Sequence, residues 1–322
     1  MDRLVLMLRA AGDPTRLRLL LLLRQAELTV SELIEIIGQS QPRVSRHLKL
    51  LCGAGLIERF KEGSWVFYRA AEDGRAAVLA ATLSSLLSGP PENDLKRLAA
   101  VREKRAAEAA AYFKANASEW GRIRSLYAPE REVEGAIVRQ LACEPIQQLL
   151  DAGTGTGRML ELLAPHARRA VGVDVSPEML AIARDKLMRG NFGHCQVRLA
   201  DAYRLPFEPG GALSGFDAVV FHQVLHYLDD PAAAVAEAVR VMRSGGRLLI
   251  ADFAPHELEF LRDDFAHRRL GFADKEVAGW FQTAGLRPVA TESIAPHAGS
   301  KEKLTVKLWV ASKHAKSRAE AA

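Results

Sequence analysis

Residues 149–157 read LLDAGTGTG, an apolar segment that ends in three glycines at alternate positions. The apolar run from Ile146 predicts a strand, and the residues after Gly157 have helical spacing, so the glycines lie in a turn between a strand and a helix. Glycines there let the backbone turn tightly and let a ligand approach it closely. A nicotinamide-dinucleotide site would need its third glycine at position 158, where this chain has Arg158. The pattern therefore differs from that of a dinucleotide site.

Strand-like and helix-like runs alternate after the turn, which predicts a parallel sheet covered by helices. Asp174 follows the second of these strands and lies 17 residues after Gly157, near the separation of about 20 residues expected for a carboxylate that binds a ribose. Asp201 follows the third strand. The predicted strands are Ile146–Leu150, Ala170–Val173, Cys195–Leu199, Phe216–Phe221, Gly246–Asp252, Arg287–Ile294 and Leu304–Ala311.

These features in this order resemble the class I S-adenosylmethionine (SAM)-dependent methyltransferases over about residues 112–312, nearest the small-molecule group that includes quinone C-methyltransferases. The resemblance implies a Rossmann-like α/β domain with a mostly parallel seven-stranded sheet, closed by an antiparallel pair. It implies SAM or S-adenosyl-L-homocysteine (SAH) as the cofactor, with Asp174 on the ribose hydroxyls and Asp201 on the adenine amino group. The implied cofactor contacts are Asp151, Gly153, Gly155, Gly157, Asp174, Val175, Met179, Asp201, Ala202, His222 and Tyr112.

Catalytic residues are weakly marked, because SAM carries its own electrophilic methyl group and the protein needs mainly to align the acceptor. His222 and His226 follow the fourth strand, where cofactor and acceptor meet, so each is a candidate base or acceptor contact; a structural role is the alternative. His256 and His267 lie in the segment that usually forms the acceptor lid. The fourth strand lacks an Asn/Asp-Pro-Pro-Tyr motif and the domain has two cysteines, which disfavours methylation of nucleic-acid bases and of arsenite.

The N-terminal region carries the basic excess of the chain. Residues 1–125 hold 20 Lys and Arg against 14 Asp and Glu, while the remainder is nearly balanced. Thr29 and Glu32 predict a capping box at a helix start, and Asp13 predicts another cap. After a short turn, Val44, Leu48 and Leu51 recur at helical spacing as a buried stripe. The intervening polar side chains are left to face outward, either as a DNA-reading face or as a solvated cationic surface.

Two strand-like runs follow that helix, and the segment 44–57, which reads VSRHLKLLCGAGLI, closely resembles the recognition helix of the ArsR/SmtB winged-helix repressors. The resemblance covers about residues 1–90 and implies a homodimer that binds a twofold double-stranded DNA operator. Metal-sensing members carry a cysteine pair on the preceding helix, but this chain has none there, so we expect no metal. The implied DNA contacts are Gln41, Arg43, Ser45, Arg46, His47, Lys49 and Lys61.

The whole chain is therefore expected to combine α+β and α/β folds. We predict a winged helix-turn-helix domain at 1–90, a helical connector at 91–125 with a helix from Leu95 to Trp120, a methyltransferase domain at 126–312 and a flexible tail at 313–322. The three scattered cysteines favour a reducing cytoplasm over a disulfide framework. Apolar runs are too short to span a membrane, so no membrane partner is expected.

Three functions fit these expectations. One is an ArsR-type transcriptional regulator that senses SAM or SAH, for which a small-molecule methyl acceptor is also a candidate partner. The second is an active small-molecule methyltransferase that carries a DNA-binding module. The third treats the N-terminal domain as a dimerisation module alone.

Overall fold

The computed structural model describes residues 2–62, 65–71, 74–116, 130–211, 214–296 and 304–314. The chain divides into two compact units, Met1–Glu108 and Ala109–Ala322. Over the described residues, no helix combines the length and the apolar character that crossing a membrane requires.

The first unit is mostly helical with a small sheet. The predicted caps are confirmed: the Asp13 carboxylate accepts from the Arg16 amide, and Thr29 and Glu32 form the reciprocal capping box. These caps satisfy amide groups that a helix start leaves without partners. The elements are α1 (Asp2–Ala11), α2 (Pro14–Leu23), β1 (Leu28–Thr29), α3 (Val30–Ile37), α4 (Gln41–Gly53), β2 (Ile57–Glu62), β3 (Trp65–Ala70), α5 (Gly74–Leu86) and α6 (Glu92–Asn116).

The small sheet has the order β1-β3-β2 with antiparallel pairing, so β2 and β3 form the predicted hairpin after α4. The leucines at 19–23 on α2 are buried, and Leu19, Leu20, Leu22 and Leu23 pack in one core with side chains of α3 and α4. Helix α4 and the hairpin are thus held on a common apolar core.

The second unit alternates strands and helices. Its predicted strands are confirmed, with ends that differ by a few residues. The elements are α7 (Glu130–Leu141), β4 (Ile146–Ala152), α8 (Arg158–Leu163), β5 (Ala167–Asp174), α9 (Pro177–Arg189), β6 (Cys195–Leu199), β7 (Phe216–His222), α10 (Pro231–Val241), β8 (Met242–Phe253), α11 (Phe260–Phe265), α12 (Asp274–Thr283), β9 (Leu286–Ile294) and β10 (Val306–Lys313).

These strands form a seven-stranded sheet in the order β6-β5-β4-β7-β8-β10-β9. All neighbours pair in parallel except β10, which is antiparallel to both β8 and β9. The chain runs from β4 toward one edge and then, from β7, toward the other. The reversal between β4 and β7 is the switch point at which parallel α/β sheets bind ligands, outside the carboxyl ends of the strands.

The connector and the tail differ in detail from their predicted bounds. Helix α6 begins at Glu92 and ends at Asn116, whereas residues 117–120 of the predicted helix lie outside the described residues. Lys313, assigned to the flexible tail, is the last residue of β10, and its Nζ donates to the carbonyl oxygens of Val239 and Met242 at 2.7 Å. Residues 315–322 of the predicted tail are not among the described residues.

Candidate functional sites

Helix α4 separates an apolar face from a cationic one. Val44, Leu48 and Leu51 are buried in the core of the first unit, which confirms the predicted stripe. The candidate DNA contacts on the other face stand in solvent, and Lys61 is exposed on β2 of the hairpin. The exposed set is Gln41, Arg43, Ser45, Arg46 and Lys49 on the helix, with Lys61 on the hairpin.

His47 departs from this pattern. Its ring is half-buried, and its Nδ1 lies 3.7 Å from Oδ1 of Asp13, the residue that caps α2. His47 is therefore less exposed than its helical spacing predicts, and its contact with DNA stays a prediction. Helical spacing placed it on the outer face, but the N-terminal end of α2 covers that position in three dimensions.

The glycine turn after β4 depends on backbone conformations that favour glycine. Gly153, Gly155 and Gly157 all have positive φ, at 78°, 51° and 82°. A Cβ on Gly153 would lie 2.4 Å from Cγ2 of Val224, well inside van der Waals contact. The turn therefore requires glycine at 153 both for its φ and for the close approach of the segment after β7.

Asp174 ties the end of β5 to this turn. Its Oδ2 accepts from the Gly155 amide at 2.8 Å and its Oδ1 accepts from the Ser176 amide at 2.9 Å. Burial raises the pKa of Asp174, although the amide bonds oppose that rise. The carboxylate thus lies at the switch point with lone pairs left for further donors, because each oxygen can accept more than one hydrogen bond.

Asp151 has a different position. It is buried at the end of β4, where its Oδ2 accepts from Oγ1 of Thr154 at 2.5 Å. Met179 and Ala202 are also buried, while Val175 is 55% exposed. Asp201 is exposed, and its Oδ1 accepts from the Tyr203 amide.

The residues around the turn suit a nucleoside. A carboxylate at Asp174 can accept from ribose hydroxyls, the exposed Val175 beside it offers an apolar surface to a flat base, and Asp201 can accept from an amino group. Asp174 and Val175 lie at the end of β5 and Asp201 follows the neighbouring parallel strand β6, so the carboxyl ends of these two strands bring the three residues to one edge of the sheet. Tyr112 lies on α6, but its side chain is outside the described part of the structure.

The histidines predicted as catalytic candidates lie in different environments. His222 is the buried last residue of β7. His226 lies in the turn that follows and is 1% exposed; its Nδ1 lies 2.6 Å from Oδ1 of Asp252, which is itself fully buried on β8. The sequence marks Asp252 only as the last residue of a predicted strand, because its pairing with His226 depends on the adjacency of β7 and β8.

His256 and His267 join His226 in one cluster. The rings of His226 and His267 have centroids 4.2 Å apart, and both contact the ring of Phe253. Burial is the main cause that lowers the pKa of His256 to about 4 and holds the pKa of His267 well below its usual value, and repulsion from His226 when that ring carries a proton adds to both shifts. In the described ranges, no group of three or more His, Cys, Asp or Glu side chains is arranged to hold a metal ion.

Comparison with known proteins agrees with this geometry. Residues 13–59 match the family model of the bacterial regulatory proteins of the ArsR family, and residues 150–250 match the model of a methyltransferase domain. The chain joins an ArsR-family regulatory domain to a methyltransferase domain. The first implies DNA binding and the second implies SAM-dependent chemistry.

Individual relatives cover parts of the chain. A demethylmenaquinone methyltransferase of Thermus thermophilus is 42% identical over 114 residues, which are 34% of this chain and 48% of that protein. An uncharacterized methyltransferase of Bacillus subtilis, YcgJ, is 28% identical over 129 residues, which are 40% of this chain and 49% of that protein. The chain thus spans about half the length of these curated relatives.

A solved structure supports the fold of the second unit. The 1,6-didemethyltoxoflavin-N1-methyltransferase of Burkholderia thailandensis aligns with a TM-score of 0.50 at 21% identity, over 66% of this chain and 90% of that one. At this identity the likeness concerns the fold alone, a Rossmann-like methyltransferase sheet.

Proposed function

We propose that this protein is a DNA-binding transcriptional regulator whose methyltransferase domain binds SAM or SAH and couples the bound cofactor to DNA affinity. The observation that carries the proposal is helix α6, which has side chains anchored in each of the two units. Its N-terminal part belongs to the regulatory unit and its last turns belong to the methyltransferase unit.

The anchors at the two ends of α6 are specific. In the first unit, the Arg18 guanidinium donates to both carboxylate oxygens of Asp94, and the Arg97 guanidinium donates to the Ile36 carbonyl on α3. In the second unit, the Phe113 ring meets that of Tyr227 edge-on at 4.8 Å. Because Tyr227 directly follows His226, a ligand that shifts the segment after β7 acts on α6 through this ring contact.

Cofactor binding is assigned to the glycine turn and its carboxylates. Asp174 takes the ribose hydroxyls, Asp201 the adenine amino group and Val175 one face of the base. When bound, SAM supplies a methyl group that is already electrophilic. The proposed cofactor contacts also include Asp151, Met179, Ala202, His222 and Tyr112. We place the protein in the cytoplasm, where both SAM and SAH are available to it.

DNA binding is assigned to the cationic face of α4 and to Lys61 on the hairpin. Arginine and lysine there reach phosphates and guanine edges in the major groove. We also propose a homodimer, because α1 and α5 expose large apolar side chains that a second copy would cover. These side chains are Leu4, Val5, Leu6 and Leu8 on α1, with Val78 and Leu86 on α5.

The test measures affinity for the chain's own promoter DNA by gel shift, with SAM and SAH titrated separately. We expect at least one of the two ligands to change the DNA dissociation constant, because coupling requires that the ligand bind the DNA-bound and the DNA-free protein with different affinities. A Phe113→Ala variant should bind both DNA and SAH yet lose the coupling. Unchanged DNA affinity across both titrations in the native chain would overturn the sensor.

An active methyltransferase is the second candidate, favoured by the His226–Asp252 pair beside the switch point. A base there would serve acceptors that need to lose a proton. The chain incubated with labelled SAM and a cell extract should transfer label to a small molecule. If no extract component gains label while SAM binds, the domain serves as a sensor without turnover.

A further inference from the structure

Strand β6 forms one edge of the seven-stranded sheet. It pairs in parallel with β5 and stands last in the strand order. At its two ends, the His194 carbonyl accepts from the backbone of β5 and the Ala200 amide donates to it. Because successive residues of a strand direct their backbone groups to opposite sides, the amides and carbonyls of Val197 and Leu199 point away from β5. They lie at the free edge of the sheet.

A groove lies beside this edge, between β6 and α9, with a cavity volume of about 540 Å³. Leu187 and Met188 from α9, Phe192 from the segment after it and Val197 from β6 give the groove apolar walls. Met188 is 76% exposed, and Leu199 at the end of β6 is 60% exposed. Exposed apolar side chains grouped at one place indicate a surface that another molecule covers.

The charged side chains of the groove are cationic. Arg184 on α9 and Arg198 on β6 line it and are exposed, and no acidic side chain is among the described residues that line it. The Arg198 guanidinium lies 5.5 Å from the centroid of the Phe207 ring. Its N–H groups remain free at the rim of that contact to donate to an acceptor. Charge complementarity therefore favours a partner that carries carboxylates.

The pleat of β6 determines the order of side chains in such a partner. Val197 packs against the apolar core that contains Leu187 and Cys195, whereas Arg198, as the next residue in the strand, points to the opposite face. A strand added beside β6 continues the same pleat. Its apolar side chains would lie beside Val197 and its acidic side chains beside Arg198.

We propose that the β6 edge and its groove form a docking site for an extended acidic segment of another protein, in which acidic and apolar residues alternate. The segment adds a strand to the sheet and pairs with the backbone of Val197 and Leu199. A second copy of this chain would bring two sets of the same arginines together, which like-charge repulsion opposes. Duplex DNA has no backbone that could pair with a strand edge.

The experiment measures how a fluorescent peptide of alternating Glu and Val binds the full chain, by anisotropy. We expect Arg184→Glu to weaken binding at least about fivefold, because an attraction becomes a repulsion. Arg189→Glu is the matched control, since Arg189 lies on the same helix, is exposed and pairs with Asp185 outside the groove. Thermal unfolding checks that both variants fold. A native chain that does not bind the peptide, or equal affinities of the two variants, overturns the proposal.

Two modified peptides separate strand addition from attraction between charges. One is N-methylated at its Val amides and the other at its Glu amides, so both keep every side chain. Only alternate amides of an added strand face β6. We therefore expect one of the two peptides to bind the native chain at least about tenfold more weakly and the other to bind like the unmodified peptide. Equal binding of the two peptides overturns strand addition.

The competing occupants give different results. Displacement of the peptide by duplex DNA as effective as that by unlabelled peptide would show a general site for polyanions. Val197→Pro removes an amide that points away from β5, which an edge strand tolerates. If this variant sediments as a smaller assembly than the native chain without peptide, a second copy occupies the edge. Either result overturns the assignment to an acidic segment of another protein.

Discussion

The cationic face of α4 and the glycine turn after β4 differ in how the chain supplies their residues. The face is contiguous in sequence, within residues 41–49, and its side chains reach into solvent from one helix. The turn draws on the ends of several strands, and its chemistry rests on backbone amides and on carboxylates that are buried or half-buried. A surface that meets a polyanion gains from long, mobile cations, whereas a nucleoside site requires atoms held at defined distances.

The difference predicts unequal tolerance to substitution. Each cationic side chain on α4 contributes separately to DNA binding, so the loss of one side chain reduces DNA affinity without abolishing it. A turn with positive φ at three glycines and close packing has no alternative arrangement, so a single added methyl group disrupts it.

The largest effect is therefore expected from Gly153→Ala. The new Cβ would be forced against Val224, at a φ of 78°. Left-handed strain and overpacking together should lower the free energy of unfolding of the second unit by about 3 kcal/mol, with SAH affinity reduced at least about tenfold. Denaturation and calorimetry measure both. Gly193→Ala is the matched control, since a Cβ there meets nothing within 4 Å; equal behaviour of the two variants would refute the strained-turn argument.

A smaller effect is expected when Arg46 and Lys49 are both replaced by Ala. Two lost phosphate contacts should weaken binding to promoter DNA by roughly 10- to 100-fold and make its log–log dependence on salt shallower by about 2. Fluorescence anisotropy at several salt concentrations measures both quantities. Lys104→Ala removes an exposed charge from α6 as the control. A variant that binds like the native chain would favour a dimerisation module in place of a DNA-binding one.

The smallest effect is expected on the free energy of unfolding at acid pH. It arises from the buried histidine cluster, and the exposed face of α4 does not contribute to it. The pKa of His267 is lowered in the folded state by burial, then by His226. Below the unfolded value of 6.5, the unfolded chain binds a proton that the folded chain does not, so stability falls as pH falls. The expected slope is about 1.4 kcal/mol per pH unit for this group. Unfolding at pH 7 and pH 5 should show a shallower loss in His267→Phe, and an unchanged loss would mean that His267 is already charged when folded.

Local patterns made much of the fold predictable. The capping box at Thr29 and the stripe through Val44, Leu48 and Leu51 involve residues within one or two helical turns, so spacing alone specifies them. The strand at Cys195–Leu199 has the bounds that its apolar residues and its flanking segments predict. His47 shows the limit of this reasoning, since Asp13, which lies beside it, is 34 residues earlier in the chain.

At the candidate cofactor site too, features set by local spacing were predictable and contacts between distant residues were not. The glycines and Asp174 were recognisable because their order and spacing resemble those of SAM-dependent methyltransferases, and the structure brings Gly155 and Asp174 into hydrogen-bond contact. The pairing of His226 with Asp252 was not recognisable. It joins residues 26 positions apart, on strands whose adjacency follows from the order of the sheet.

The amino-acid sequence by itself determined the two domain types, the order of the strands along the chain and the cationic helix face, because each depends on interactions between near neighbours. Only the tertiary structure decided which buried side chains meet at the carboxyl ends of β7 and β8. The packing of Phe253 and Tyr227 around His226, and the burial that lowers the pKa of His256 and His267, depend on segments that lie far apart in the chain and come together only when the sheet forms.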